Sequence, residues 1–254
     1  MARSGTQSIE RAATLLRELS ARARTGWRLS DLAERCALDR GTARRMLACL
    51  VRERMAVQRA ADRHYLPGPA LYELGLSVTP LAALQELARP ALARLAAQTR
   101  CVAFLYLRSG SEFVCAARVG SATIKGLSVE VGTRRSLCVS AGGIAILVAM
   151  PKRERRLALA ENLRRLRQAG DPRLKSVGRM LKRSEQRGVG LNIGEFVPNI
   201  TALGVALRDA DGAPYASLTL SGPSEILAKN RIDDAIAAME AEARAIAAGL
   251  KQRD

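Results

Sequence analysis

Five cysteines (Cys36, Cys49, Cys101, Cys115 and Cys138) and one histidine, His64, are the side chains of this 254-residue chain best suited to nucleophilic or metal chemistry. No two cysteines form a CxxC pair and zinc-finger spacing is absent, so neither a metal nor another cofactor is expected. Cys138 precedes a Gly-rich helix start, SAGG, a position that can lower a thiol pKa. The lone histidine lies far away in sequence with no evident route to act as its base. A buried structural thiol is therefore expected, and no catalytic residue is assigned.

The arginines of SDLAERCALDRGTARRMLACLVRERM, residues 30–55, offer another chemistry. Two short helices separated by a Leu38–Asp39 corner are read here, the second capped by Asp39. Its residues Ala43, Met46, Leu47, Leu50 and Val51 form an apolar stripe. Arg45 and Thr42 then lie on the opposite face, with Arg44 at its flank. Arg45 is suited to a guanine edge in the major groove of double-stranded DNA, with Thr42 beside it. Arg40 and Arg44 suit phosphates, and the backbone N–H groups near Arg40 and Gly41 add donors at a helix N-terminus. Arg52 and Arg54 come too late in the helix to reach into a groove. A second candidate site lies downstream. Ser140 and Ala141 open a helix whose N–H groups favour a carboxylate or phosphate, and Thr219 and Ser221 alternate with Leu218 and Leu220, placing both hydroxyls on one strand face. A solvent-facing position for those hydroxyls stays open at this level.

Composition agrees with an anionic partner. The net charge is +17, from 41 Lys and Arg against 24 Asp and Glu, which favours phosphate binding with counterion release. Aromatics are only 3%, too few for the stacking platforms that single-stranded nucleic acid needs. The charge is spread widely: residues 1–78 carry 14 basic and 8 acidic groups, and residues 151–187 carry 13 and 4. The latter stretch is expected to be a solvated arginine-rich face. No apolar run is long enough to span a bilayer, so a cytoplasmic protein with reduced thiols is expected.

These residues need elements to hold them. Residues 8–19 read as a helix capped by Ser8, and a second helix follows Ser30. After the arginine-bearing helix, residues 56–66 read as a hairpin, which makes a winged helix-turn-helix over residues 1–67. Residues 68–79 form a linker helix. Residues 80–254 form an α+β domain: a helix to Thr99, strands around the Ser109–Ser111 turn, an apolar helix from Ala141, two charged helices split at Gly170–Asp171–Pro172, strands around Asp211–Gly212, and a helix from about Glu225 to Leu250.

Taken in order, SIERAATLLRELS, the 30–55 stretch, YLPGPALYELG, VGTRRSLCVSAGGIAILVAMP, RGVGLNIGEFVPNITALGVALRDADG and YASLTLSGP resemble an IclR-family transcriptional regulator over nearly the whole chain. The resemblance implies a winged-helix DNA-binding domain joined to a GAF-like effector-binding domain, acting as a homodimer or homotetramer on palindromic operators, often beside catabolic genes. It also implies effector contacts at Ser140, Ala141, Asn192, Ala202, Thr219 and Ser221. The family's common Pro and His are replaced by Ser136 and Cys138, its frequent Asp by Asn192, and its frequent Cys by Ala202. Loss of a negative charge and a roomier wall suit a small organic acid, with space for an aromatic ring. The rival readings are a ligand-sensing oligomer that acts without DNA and a Cys138-dependent enzyme.

Overall fold

Helix α1 (Gln7–Ala21) buries Leu15 and Leu19 and lies in a unit spanning Met1–Thr79; a second unit spans Pro80–Asp254. A computed structural model describes residues 6–120 and 129–253. The first unit continues with α2 (Leu29–Arg35), α3 (Arg40–Arg52), β1 (Ala56–Gln58), β2 (Tyr65–Pro67) and α4 (Pro69–Leu76). Its core joins Leu15 and Leu19 to Trp27, Leu32, Leu47, Leu50, Ala56 and Tyr65. Trp27 is fixed twice. Its indole N–H donates to the Glu18 carbonyl at 2.8 Å, and its backbone exchanges hydrogen bonds with Tyr65 at 3.0 and 2.8 Å. Strands β1 and β2 pair antiparallel with Val57 opposite Leu66, giving the wing.

Two expected caps fall inside helices. Thr6 stands at the N-cap of α1, so Ser8 is already helical, and Arg28 has the extended backbone of the N-cap of α2. Ser30 Oγ instead donates to Asp31 Oδ1 at 2.9 Å. The apolar stripes are also narrower than expected: Ile9 is 70% exposed and Val51 37%.

The second unit opens with α5 (Thr79–Thr99), β3 (Val102–Ser109) and β4 (Glu112–Val119). Then follow β5 (Arg134–Ser136), a 3-10 turn (Leu137–Val139), α6 (Ala141–Ala149), α7 (Lys152–Gln168), α8 (Leu174–Arg187), β6 (Gly190–Ile193), β7 (Ile200–Arg208), β8 (Pro214–Pro223) and α9 (Ile232–Lys251). All neighbouring strands run antiparallel, in the order β5-β4-β3-β8-β7-β6. The short edge strands β5 and β6 were not expected from the sequence. Helix α9 starts later than the sequence suggested, because Ser224 bonds back to the Asn199 carbonyl and Ile226 to that of Pro223.

Alternation along β3 divides the core into two layers. Ala103 and Leu105 pack with α5 and α9, while Val102, Phe104 and Tyr106 pack with α6, α7 and α8. Helix α6 lies directly on the sheet. A Cβ at Gly190 or Gly204 would overlap the Ala141 carbonyl, so glycine there is what lets the helix start approach the strands.

Candidate functional site

Helix α3 begins where Asp39 Oδ1 accepts the Thr42 N–H at 2.8 Å. Hydrogen bonds from Thr42, aided by the charge of Arg45, hold the Asp39 carboxyl below the usual carboxylate range. Arg45 Nη2 donates to Thr42 Oγ1 at 3.1 Å, and a Cβ added to Gly41 would lie 3.5 Å from Arg45 Nη1. The Arg45 guanidinium therefore folds back over the first turn of α3, which groups Gly41, Thr42 and Arg45 on one exposed end. Arg40 and Arg44 are exposed there too. Ion pairing separates the arginines of this region. Arg35 pairs with Glu18, Arg52 with Glu53 and Arg54 with Glu73, whereas no carboxylate pairs with Arg40, Arg44 or Arg45 among the described residues.

The wing adds a candidate that sequence reasoning missed. Arg59 binds both Asp62 oxygens at 2.9 and 2.6 Å, and His64 Nδ1 lies 2.7 Å from Asp62 Oδ2. The Arg59 hydrogen bonds hold the Asp62 carboxyl well below its usual range. This rigid base presents Arg63 at an exposed tip with φ of 60°, its carbonyl bonded by Gln58 Nε2 at 3.0 Å. Only the paired hairpin reveals that position.

In the second unit Ser140, Ala141, Asn192, Ala202, Thr219 and Ser221 line one cavity. The solvent-face alternative for Thr219 and Ser221 is overturned, since they are 2% and 4% exposed. Strand register explains the convergence: Asn192 pairs with Ala202 and Ala202 with Ser221 across β6, β7 and β8. Ser140 caps α6, its Oγ accepting the Gly143 N–H at 2.9 Å. The N–H groups of Ala141 and Gly142 lie in the first turn, where a helix supplies no acceptor. Among the described residues Thr219 Oγ1 is buried without a hydrogen-bond partner. A side chain at Gly142 would overlap Thr219 Oγ1, so this glycine keeps that hydroxyl within the pocket wall.

The apolar wall comes from Tyr106 and Phe113, stacked with centroids 4.3 Å apart, and from Phe196, Val139 and Ile200. The loop bearing Phe196 is pinned by the Glu195 N–H donating to Asn192 Oδ1 at 3.0 Å and by an Arg183–Glu195 ion pair. Burial pushes the Tyr106 phenol above its ordinary pKa, so it stays neutral.

Two arginines of the pocket escaped the sequence reading. Arg135 stands on β5 opposite Phe113, and Arg173 comes from the corner between α7 and α8. Arg173 Nε donates to the Asp171 oxygens at 2.9 and 3.1 Å, which holds the Asp171 carboxyl below its usual range. Burial, then the neighbouring Arg173 charge, pull Arg135 below the ordinary arginine pKa.

Cys138 is fully buried and its thiol is pushed up to about 12 by desolvation, the opposite of an activated thiolate. Its N–H donates at 3.1 Å to Oδ1 of Asn162, a buried residue of α7 whose Nδ2 bonds the Ser111 and Ala158 carbonyls, both at 2.8 Å. Among the described residues no group of three His, Cys, Asp or Glu side chains could hold a metal, and no helix is long and apolar enough to cross a membrane.

Comparison with known proteins fits both sites into one framework. Residues 8–60 match the IclR helix-turn-helix domain, and residues 77–248 match the Bacterial transcriptional regulator IclR C-terminal model. The chain is 25% identical to the HTH-type transcriptional regulator BhcR of Paracoccus denitrificans, over 98% of this chain and 89% of that protein. An IclR transcriptional regulator from Alicyclobacillus acidocaldarius shares the fold, with a TM-score of 0.76 and 23% identity over 96% of this chain and 98% of that one. So does an IclR homologue from Microbacterium hydrocarbonoxydans complexed with 4-hydroxybenzoate, with a TM-score of 0.74 and 21% identity over 97% and 100% of the two chains. A helix-turn-helix unit with a wing and an α+β unit with an effector-type cavity, each matched by its own domain model, place this chain in the IclR family of bacterial transcriptional regulators.

Proposed function

We propose that this regulator binds operator DNA through the exposed start of α3 and changes that binding when a small organic acid, aromatic acids included, occupies the cavity of the second unit. The observation that carries the reading is the joint lining of one cavity by stacked aromatic rings, a helix N-terminus, buried hydroxyls and two arginines. Apolar walls with few polar groups are the usual make-up of a small-molecule site, and a net positive lining favours an anion. The Microbacterium relative, complexed with 4-hydroxybenzoate, offers a ligand of this class to try first.

At the DNA, Arg45 with Thr42 would meet base edges, and Arg40, Gly41 and Arg44 would hold phosphates. Two such helices must act together to read a palindrome, which requires a homodimer or a higher homo-oligomer. The linker helix α4 supports that requirement: Tyr72, Leu74 and Leu76 are 73%, 56% and 60% exposed, an apolar surface suited to a second copy. The controlled genes would be neighbouring ones for breakdown of the sensed acid. Footprinting on the DNA upstream of the protein's own gene, with and without aliphatic and aromatic carboxylates, tests the proposal. A protected site whose occupancy changes with one of the acids is expected; protection that ignores the whole panel would overturn the effector assignment.

A further inference from the structure

Helices α7 and α8 carry a charge that the fold does not neutralise. Residues 151–187 hold 13 basic and 4 acidic groups. Each of those carboxylates already serves a half-buried arginine: Glu154 pairs with Arg108, Glu161 with Arg165, Asp171 with Arg173 and Glu185 with Arg155. Arg183 and Arg187 are paired with Glu195 and Asp233. The remaining cations are exposed and have no carboxylate partner among the described residues: Lys152, Arg153, Arg156, Arg164 and Arg167 on α7, and Lys175, Arg179 and Lys182 on α8. Arg164 and Arg179 bond neutral side chains, Gln168 Oε1 at 3.1 Å and Ser176 Oγ at 3.3 Å.

Helical phase gathers these cations. At about 100° per residue those of α7 fall within an arc of about 120° and cover about 22 Å of the axis. Those of α8 lie within about 60°, opposite the buried Val177, Met180 and Ser184. Leu166, Val177 and Met180 share one core cluster with Ile144 and Leu147 of α6, so both cationic sides face away from that layer. Helix stability does not account for the pattern. Lys152–Arg156, Arg164–Arg167, Lys175–Arg179 and Arg179–Lys182 are like-charge neighbours at i,i+3 or i,i+4, which disfavour a helix. A second copy packed about a two-fold axis would set cation against cation. A lipid surface needs an apolar face to embed, and those of α7 and α8 are buried in the core. Duplex DNA, with one negative charge per about 1.7 Å, matches a basic stripe of this length, and arginine suits its phosphates. Resting on the DNA-binding reading above, we infer that α7 and α8 form a second DNA surface, which holds the phosphate backbone outside the segment read by α3. It adds affinity without sequence preference.

Fluorescence anisotropy with the full chain tests this on two duplexes: the upstream segment protected in footprinting, and the same segment extended by about two helical turns at each end. Wild type should bind the extended duplex about 5- to 50-fold more tightly, with a log–log salt slope steeper by roughly 0.9 for each added phosphate contact. Arg156→Gln/Arg164→Gln/Arg167→Gln and Lys175→Gln/Arg179→Gln/Lys182→Gln should each cut that gain and flatten the slope by about 2–3, leaving the bare segment within about twofold. Arg156→Lys/Arg164→Lys/Arg167→Lys should keep most of the gain, which separates charge from folding. A length gain that persists in both glutamine variants overturns the inference, as does equal weakening on the two duplexes. If the gain persists while those variants lose binding to poly-L-glutamate, the surface belongs to an acidic protein instead. A wild type that binds both duplexes equally overturns the second surface alone. A wild type that binds neither overturns the operator reading with it.

Discussion

Replacing Asn162 with leucine should destabilise the second unit and loosen the pocket, although Asn162 does not line it. The Asn162 amide joins α7 to the 3-10 turn that leads into Ser140, through bonds of 3.1 Å from the Cys138 N–H and 2.8 Å to the Ser111 carbonyl. Leu137, Cys138 and Val139 are 0%, 0% and 6% exposed, so water cannot take over the freed Cys138 N–H. One orphaned buried donor costs about 1–3 kcal/mol. The Ser111 carbonyl still accepts from Leu137 at 3.2 Å, so its loss adds only about 0.5–1.5 kcal/mol. A total of about 2–4 kcal/mol corresponds to a fall of roughly 5–15 °C in melting temperature for a unit of this size. Circular dichroism melts read the helices of both units, the second contributing most, while emission from the buried Trp27 reads the first alone. The dichroism transition should drop and the tryptophan transition should hold. A melting temperature within about 2 °C of wild type would refute the reasoning, because so small a change implies well under the cost of one unmade buried hydrogen bond.

Other consequences are equally direct. Arg45→Ala should weaken operator binding by about 5- to 100-fold, whereas Arg52→Ala, whose arginine already pairs with Glu53, should stay within about twofold, as read by fluorescence anisotropy. Gly142→Ala would drive a methyl group into Thr219 Oγ1, so effector binding should be lost in calorimetry even where the fold survives. At pH 8 Ellman's reagent should label the exposed Cys49 quickly and leave Cys138 unreacted until denaturant is added, since burial raises its thiol to about 12. The Asp171 carboxyl is depressed by Arg173, so its contribution is present above the ordinary carboxylate pKa and lost as pH falls through the lower folded value. Wild type should therefore exceed Asp171→Asn in stability by a constant margin from pH 7 to about 4, narrowing only below that, in denaturation curves taken across the range.

The parts of the fold legible in the sequence are those with a long period or a sharp turn. Helix α3 carries both a capping aspartate and an apolar stripe, and the β3–β4 and β7–β8 hairpins carry alternation around polar turns. Strands β5 and β6 span three and four residues, too short for a period to emerge, and they exist because a neighbouring strand offers an edge. Asn192 on β6 and Ala202 on β7 came from resemblance, whereas Thr219 and Ser221 on β8 were legible from alternation as one strand face; the meeting of all four in space is a matter of register across three strands. Arg135 and Arg173 were invisible for a different reason. In a chain of net charge +17 one arginine looks like another, and only the β4–β5 pairing and the Asp171 clamp direct these two toward the pocket. Asn162 was hidden likewise, within a helix whose charge pattern reads as solvated. Ser8 and Ser30 look like caps by type, but the chain is already helical where they stand.

On the proposed function, DNA binding and pocket occupancy are two ends of one equilibrium, coupled by differential affinity. The most direct test is the affinity of the full chain for its upstream DNA, measured by anisotropy with and without 4-hydroxybenzoate and related aromatic acids, in wild type and in Thr219→Val. The expected result is a specific site whose affinity shifts with an acid by about 5- to 150-fold in either direction, with the shift reduced in the variant. An affinity that stays constant across the acids, while calorimetry shows one of them bound in the pocket, would contradict it.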